Sequence, residues 1–363
     1  MKIEVYSPTI RRKEMDAVLT AMVEEKIGPG ERNRFLLNTA KEQLKFDYAL
    51  ALRSPAVALH LALNALNVQR GQAVIVSALS PRYYLQVLHD LQLLPMYCDV
   101  SYDFPCINRE SIESVISKKP PDVSIGAIAL NHTLGYSPDT ASIAELGIPV
   151  IEDISQSYGF WLKSKKEEAA GDNSDNNKDK TSVPNSALAA AQLYIVGLEE
   201  RDMLTSGGGA LLIAMNRKDA SGLRGFSGIA NEYCLPDINA ALAVVQFREL
   251  QRNIERRRDI IEVFTQASLR TRHKRFIALN ENEQCNYSFS LVLETGLKDV
   301  IAYAKKKEIE IENAFENTIA GAALADVCPV SNSLAMRTVL FPVYPMLKSS
   351  EVERISRLIM TLP

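Results

Sequence analysis

Short apolar runs alternate with helical stretches through the first 160 residues of the chain. Between Phe46 and Leu93 a β-like run (YALALR) is followed by a helical run (AVALHLALNALNV), a second apolar run (AVIVSALS) and another helical run (YYLQVLHDLQL). The alternation continues as far as the run IPVIEDI. Strands that alternate with helices in this way are typical of βαβ units. The pattern therefore predicts an α/β domain built on a parallel sheet.

The remainder of the chain predicts an insertion, a long helix and a second domain. Residues 162–186 contain almost no large apolar side chain, so we expect a disordered surface insertion there. The segment DINAALAVVQFRELQRNIERRRDIIEVFTQA repeats apolar residues at helical spacing, with a charged opposite face. Strand-like and helical runs follow it. We therefore expect a large domain over residues 1–250 and a small C-terminal α+β domain over 251–363.

Composition excludes several classes of partner. The chain has 363 residues, with 41 Lys and Arg against 44 Asp and Glu and a net charge of −3. Neither nucleic acid nor a membrane surface is therefore an expected partner. Charged residues run through the first 18 positions where a signal peptide needs an apolar core, so we expect a cytoplasmic protein. The five cysteines and four histidines show no metal-ligand spacing, and we expect no metal site.

Several strings, in the same order along the chain, resemble the DegT/DnrJ/StrS family of nucleotide-sugar aminotransferases. They are SPAVALHLALNAL, LPMYCDV, IPVIEDISQSYG, LTSGGGALL, LPDINAALAVVQF and FPVYPML. The resemblance covers essentially the whole chain apart from the polar insertion. It implies the fold-type-I architecture of pyridoxal phosphate (PLP) enzymes: a large domain with a mostly parallel, seven-stranded sheet between helices, and a small C-terminal α+β domain.

Two residues match positions that hold the cofactor in this family. Asp153, in VIEDISQ, stands where the family has the carboxylate that keeps the pyridine nitrogen protonated. Gln156 stands where the family places a side chain near the ring hydroxyl. Without the resemblance, Asp153 would be read as capping the turn after a strand, and Gln156 as packing nearby. His132 matches a histidine that the family often carries, either as a structural residue or in a functional role.

Other family positions carry residues that do not suit the cofactor. Asp202 aligns with the lysine that forms the Schiff base, and a carboxylate cannot form an imine. The phosphate-binding positions align with Pro55, Ala56 and Gly197. Pro55 lacks an N–H donor, and Ala56 and Gly197 lack the hydroxyl groups of the family residues. Pro81 falls at the aromatic residue that stacks on the ring, although a shift in register would place Tyr83 or Tyr84 there instead.

These departures predict a family member that has lost PLP binding and transaminase activity, and we expect no cofactor. Such a protein would act as a structural or regulatory partner, or would bind a nucleotide-sugar ligand in the inherited cleft. The alternative is an active enzyme that uses PLP or the amine form of the cofactor (PMP), as an aminotransferase or as a dehydratase with Asp202 as base. The resemblance also implies a homodimer, or a heterodimer with an active paralogue.

Overall fold

A seven-stranded sheet forms the centre of the larger part of the computed structural model, which describes residues 2–161, 190–278, 286–321 and 324–363. The strand order is β1-β7-β6-β5-β4-β2-β3, and β7 alone runs antiparallel to its neighbours. The expected seven-stranded, mostly parallel sheet is thus confirmed. The strands are β1 (Tyr48–Leu52), β2 (Ala73–Ser77), β3 (Leu94–Cys98), β4 (Ile125–Asn131), β5 (Val150–Asp153), β6 (Leu193–Gly197) and β7 (Ala210–Ala214).

Helices cover both faces of this sheet, because its strands are apolar on both sides. Within β2, Ile75 packs into one apolar cluster while Val74 and Val76 pack into the other, as the two-residue period of a strand requires. The helices of this part of the chain are α1 (Arg12–Val23), α2 (Glu31–Leu44), α3 (Pro55–Ala65), α4 (Tyr83–Asp90), α5 (Arg109–Lys118), α6 (Thr140–Ala144) and α7 (Arg217–Arg224).

One long helix, α8 (Asp237–Ser268), connects the main sheet to a second core. Its 32 residues span about 48 Å at 1.5 Å per residue. Phe247, in its N-terminal half, packs in the core beneath the main sheet, whereas Ile260 and Phe264 pack in a separate C-terminal core. The expected boundary between residues 250 and 251 falls inside this helix, and the division into two domains stays a prediction.

The C-terminal core surrounds a three-stranded antiparallel sheet with the order β8-β10-β9. Ile3, from the other end of the chain, packs into the same core. The small second sheet agrees with the α+β character expected for this region. Its elements are β8 (Phe289–Val292), α9 (Leu297–Lys306), β9 (Glu312–Asn313), α10 (Pro329–Arg337), β10 (Thr338–Phe341) and α11 (Ser349–Met360).

The insertion and the absence of a membrane-spanning helix were also expected from the sequence. The predicted insertion at 162–186 lies outside them. Within the described part of the chain, no helix is long and apolar enough to cross a membrane.

Candidate active-site cleft

A cleft of about 550 Å³ lies between the main sheet and the C-terminal sheet. Its floor is formed where the carboxyl ends of β4 and β5 meet, which is where open α/β sheets bind their ligands. Its opposite wall comes from residues 312–318 and from the end of β10. Asp153, Gln156, Asp202, Pro55 and His132 all line this cleft, so the structure brings together five of the seven predicted site residues.

Asp153 is the last residue of β5, and its buried carboxylate is fully occupied by donors from the chain itself. Oδ2 accepts hydrogen bonds from the hydroxyls of Tyr83 and Tyr84, at 3.0 and 3.3 Å. Oδ1 accepts from the backbone N–H of Ser155 at 3.0 Å and from the Ser155 hydroxyl. Burial, and to a lesser extent the negative charge of Asp153, raises the pKa of both tyrosines. The tyrosines therefore remain neutral donors at physiological pH.

Asp202 lies in the same cleft, in the turn that follows β6. Its Oδ2 accepts a hydrogen bond from the backbone N–H of Glu199 at 2.9 Å, which closes this turn. Burial, reinforced by the negative charges of Asp153 and Glu199, raises the pKa of Asp202 to about 8. The side chain therefore carries a proton through most of the neutral pH range.

Gly197 lies beneath Asp202, at the end of β6, and does not itself line the cleft. A Cβ at this position would stand 2.2 Å from Oδ2 of Asp202 and 2.8 Å from Oγ of Ser155. The Gly197 N–H donates to that same serine oxygen at 2.7 Å. A side chain at position 197 would therefore clash with the carboxyl group of Asp202, which fills the space above Gly197.

Gln156 uses its side-chain carbonyl to hold the backbone after β4. Oε1 accepts from the N–H of Leu134 at 2.7 Å. Leu134 has a φ of +57°, a conformation that is unfavourable for a branched apolar residue. Gln156 therefore supports the loop that forms this side of the cleft.

His132 is among the residues that line the cleft, but its side chain has no exposed area. Nε2 is 2.6 Å from Oε1 of Glu152, and Nδ1 is 2.6 Å from the hydroxyl of Ser157. Thr140 donates to the same glutamate oxygen at 2.6 Å. With both ring nitrogens engaged inside the protein, His132 is placed to orient the β4 and β5 ends rather than to touch a ligand.

The N-terminus of α3 carries Pro55 and Ala56, and it is capped from within. Ser54 accepts a hydrogen bond from the N–H of Val57 at 3.3 Å, and Pro55 has no N–H. Pro55 lines the cleft, whereas Ala56 does not. Among the first three residues of this helix, only Ala56 has a backbone N–H that could still donate to an anion.

Acidic side chains outnumber basic ones along the cleft. No lysine is among the described residues that line it. The two arginines there have partners: Arg201 forms an ion pair with Glu312 at 2.5 Å, and buried Arg257 donates to the carbonyls of Tyr287 and Val343. The carboxylic side chains are those of Asp153, Glu199, Glu200, Asp202, Glu312 and Glu316.

Three features of this site were not identified from the sequence. These are the bonds from both tyrosines to Asp153, the buried Glu152 behind His132, and the contribution of β10 to the far wall. Glu152 directly precedes Asp153 in VIEDIS, and a charged residue within an apolar strand is a signal that could have drawn attention to it. The other two depend on contacts between distant parts of the chain.

The sequence of this chain matches a family of sugar aminotransferases and one of its curated relatives. The family model described as DegT/DnrJ/EryC1/StrS aminotransferase matches residues 8–175 and 205–360. A curated GDP-perosamine synthase from Vibrio cholerae is 25% identical over 232 residues, a match that spans 61% of this chain and 59% of that protein.

Solved structures agree with this assignment at the level of the fold. The aminotransferase TlmJ from Streptoalloteichus hindustanus is similar with a TM-score of 0.80 at 18% identity, covering 99% of this chain and 98% of that one. The PMP form of Spr1654 from Streptococcus pneumoniae is similar with a TM-score of 0.82 at 16% identity, covering 99% and 97%. Because the family model covers most of its length, the chain belongs to the DegT/DnrJ/EryC1/StrS aminotransferase family.

Proposed function

We propose that this family member has lost PLP binding and transaminase activity, and that its cleft binds a nucleotide-sugar ligand in deoxyamino-sugar or polysaccharide metabolism. The observation that carries the proposal is the absence of a lysine among the described residues that line the cleft, together with Asp202 on its surface. A Schiff base needs an amine, and a carboxyl group supplies none.

The rest of the cleft supports the same conclusion about the cofactor. The carboxylate of Asp153 already accepts four hydrogen bonds from the chain. The α3 N-terminus offers little to a phosphate group, since Pro55 lacks an N–H and Ser54 occupies that of Val57. The described residues of the cleft thus do not fit PLP.

A two-part experiment tests this proposal. The purified chain is incubated with excess PLP, reduced with borohydride and examined by peptide mass mapping. It is separately titrated with a GDP-, a UDP- and a dTDP-sugar by calorimetry. We expect no single lysine to be trapped stoichiometrically, and saturable heat with the GDP-sugar. A stoichiometric adduct on one lysine would contradict the loss of PLP binding. A flat calorimetric titration with GDP-, UDP- and dTDP-sugars would contradict the proposed ligand class.

One observation favours a second candidate, a dehydratase that uses non-covalent PMP. A pKa of about 8 gives Asp202 a proton affinity suited to general acid–base catalysis near neutral pH. This candidate predicts that PMP binds to the chain and that Asp202→Asn abolishes turnover of a nucleotide-4-keto-sugar. Failure of PMP to bind to the chain would contradict the dehydratase candidate.

We further propose that the chain is a cytoplasmic homodimer, with a heterodimer containing an active paralogue as the alternative. Met15, Leu19 and Met22 are exposed at i, i+4 and i+7 on one face of α1, an apolar stripe suited to packing against a second chain. Sedimentation equilibrium of the purified protein is expected to give twice the chain mass. A monomer that persists at high protein concentration would contradict the homodimer.

A further inference from the structure

The side chain of Tyr83 is placed directly at the carboxylate that would hold a cofactor ring. Tyr83 is the first residue of α4 and lines the cleft, and its hydroxyl donates to Oδ2 of Asp153 at 3.0 Å. The ring of Tyr84 lies 4.9 Å away, centroid to centroid, and its hydroxyl reaches the same oxygen from a fully buried position. One tyrosine therefore supports the carboxylate from inside the protein, and the other faces the cleft.

The carboxylate has no acceptor position left for another donor. Its two oxygens offer about four lone-pair sites, and four donors from Tyr83, Tyr84 and Ser155 already occupy them. A pyridinium N–H would have to displace one of these donors. Tyr84 is fully buried, and Ser155, although it also lines the cleft, is buried and accepts a hydrogen bond from the N–H of Gly197. The hydroxyl of Tyr83, which is only partly buried, is therefore the one in the path of an entering ring.

The backbone that carries Tyr83 is held by the opposite wall of the cleft. Pro81 pairs with Thr318 in a β-bridge, and the N–H of Arg82 donates to the carbonyl of Asn317 at 3.1 Å. The N–H of Ile319 donates to the carbonyl of Ser80 at 2.9 Å. A shift of this segment away from Asp153 would break several of these bonds together. Room for a ring must therefore come from the Tyr83 side chain itself.

We propose that Tyr83 replaces the cofactor ring at Asp153, so that restoring the missing lysine alone does not restore PLP binding. The inference rests on the proposed function, since it explains why the cleft excludes PLP. It adds that two changes, at Asp202 and at Tyr83, are each sufficient to prevent the covalent complex. In the absence of a cofactor, the Tyr83 hydroxyl donates a hydrogen bond to the buried carboxylate of Asp153. Without it, that carboxylate would lack a donor on the cleft side.

Lysine-restored variants test the inference by gain of binding. The variants are Asp202→Lys, Asp202→Lys with Tyr83→Ala, and Asp202→Lys with Tyr83→Phe, each incubated with PLP, reduced with borohydride and mapped by mass. A matched control pairs Asp202→Lys with Tyr287→Ala, because Tyr287 also lines the cleft but donates to the carbonyl of Arg201. Thermal melting establishes that each variant is folded.

We expect at least tenfold more adduct on the introduced lysine in the Tyr83→Ala double variant than in Asp202→Lys alone. The Tyr83→Phe variant retains the ring and the Tyr287→Ala variant retains the Asp153 contact, so both should resemble Asp202→Lys. Equal adduct in Asp202→Lys and the Tyr83→Ala double variant, or none in either, would overturn the role of Tyr83. Should the double variant not fold, the single variant Tyr83→Ala must bind PMP at least tenfold more tightly than the wild type, and equal affinity would overturn the inference.

These results are separate from the test of the proposed function, which uses the wild-type chain. An adduct on a native lysine of the wild type contradicts the proposed function. A normal adduct in Asp202→Lys with an unreactive wild type contradicts only the role of Tyr83.

Discussion

Replacing Asp202 by Asn should stabilise the protein, and the gain should grow with pH. The pKa of Asp202 is raised from 3.8 to about 8, chiefly by burial. Between these two values the unfolded chain has released the proton that the folded chain retains, so the wild type loses stability as pH rises. Asn cannot ionise in either state, and its carbonyl can still accept the hydrogen bond from the N–H of Glu199. The substitution therefore removes the titration while keeping the turn.

The size of the effect follows from the pKa. One pKa unit corresponds to about 1.4 kcal/mol, so the interval from pH 5 to pH 8 would give about 4 kcal/mol at most. Because Asp202 retains contact with solvent, we expect about 1–2 kcal/mol of this difference to be measured. Urea denaturation at pH 5 and pH 8 gives the free energy of unfolding of both proteins. Exposed Asp122→Asn is the control, and it should show no such growth with pH.

An equal gain from Asp202→Asn at both pH values would refute the reasoning. So would a wild type that becomes more stable, relative to the variant, on going from pH 5 to pH 8. Either result would mean that Asp202 is ionised in the folded protein across this range.

Three further substitutions test other parts of the structure. Asp237→Ala should cost about 2–4 kcal/mol in urea denaturation, because this buried carboxylate accepts three backbone N–H groups at the start of α2; a cost below 0.5 kcal/mol would contradict this. Asp99→Ala should cost about 1–3 kcal/mol, because Asp99 caps α10 through Val330 and Ser331, and an unchanged urea midpoint would refute the cap. Gly197→Ala should lower the free energy of unfolding by about 1–3 kcal/mol, because the new Cβ clashes with the Asp202 carboxyl group. This loss should be smaller in an Asp202→Ala background, and an equal loss in both backgrounds would exclude the clash.

Local patterns in the sequence predicted the sheet, whereas the residues of the cleft came from the family resemblance. Runs such as AVIVS and IPVIEDI are apolar on both faces, which is typical of strands covered by helices on both sides. Asp153 is the last residue of the strand in the second run, and the carboxyl end of a strand is where α/β sheets place ligand-binding residues. The resemblance then supplied the number of strands and their mostly parallel arrangement, which periodicity alone leaves open.

The internal chemistry of the cleft was not predictable in the same way. The hydroxyl of Tyr83 and the carboxylate of Asp153 are 70 positions apart in the chain, and their bond depends on how α4 begins above β5. From the sequence, Tyr83 and Tyr84 were candidates to stack on a cofactor ring, but the structure places both hydroxyls on Asp153 instead. Gly197 aligned with a phosphate-binding position, but its surroundings give it a steric role beneath Asp202.

The measurement that tests the account most directly is equilibrium dialysis of the wild-type chain against PMP. The amine form of the cofactor requires no lysine, so its retention depends only on whether the cleft accepts the ring and the phosphate. With Asp153 saturated and the α3 N-terminus capped by Ser54, we predict no retention at millimolar PMP. Stoichiometric retention of PMP that is lost in Asp153→Ala would contradict the account and place the cofactor in this cleft.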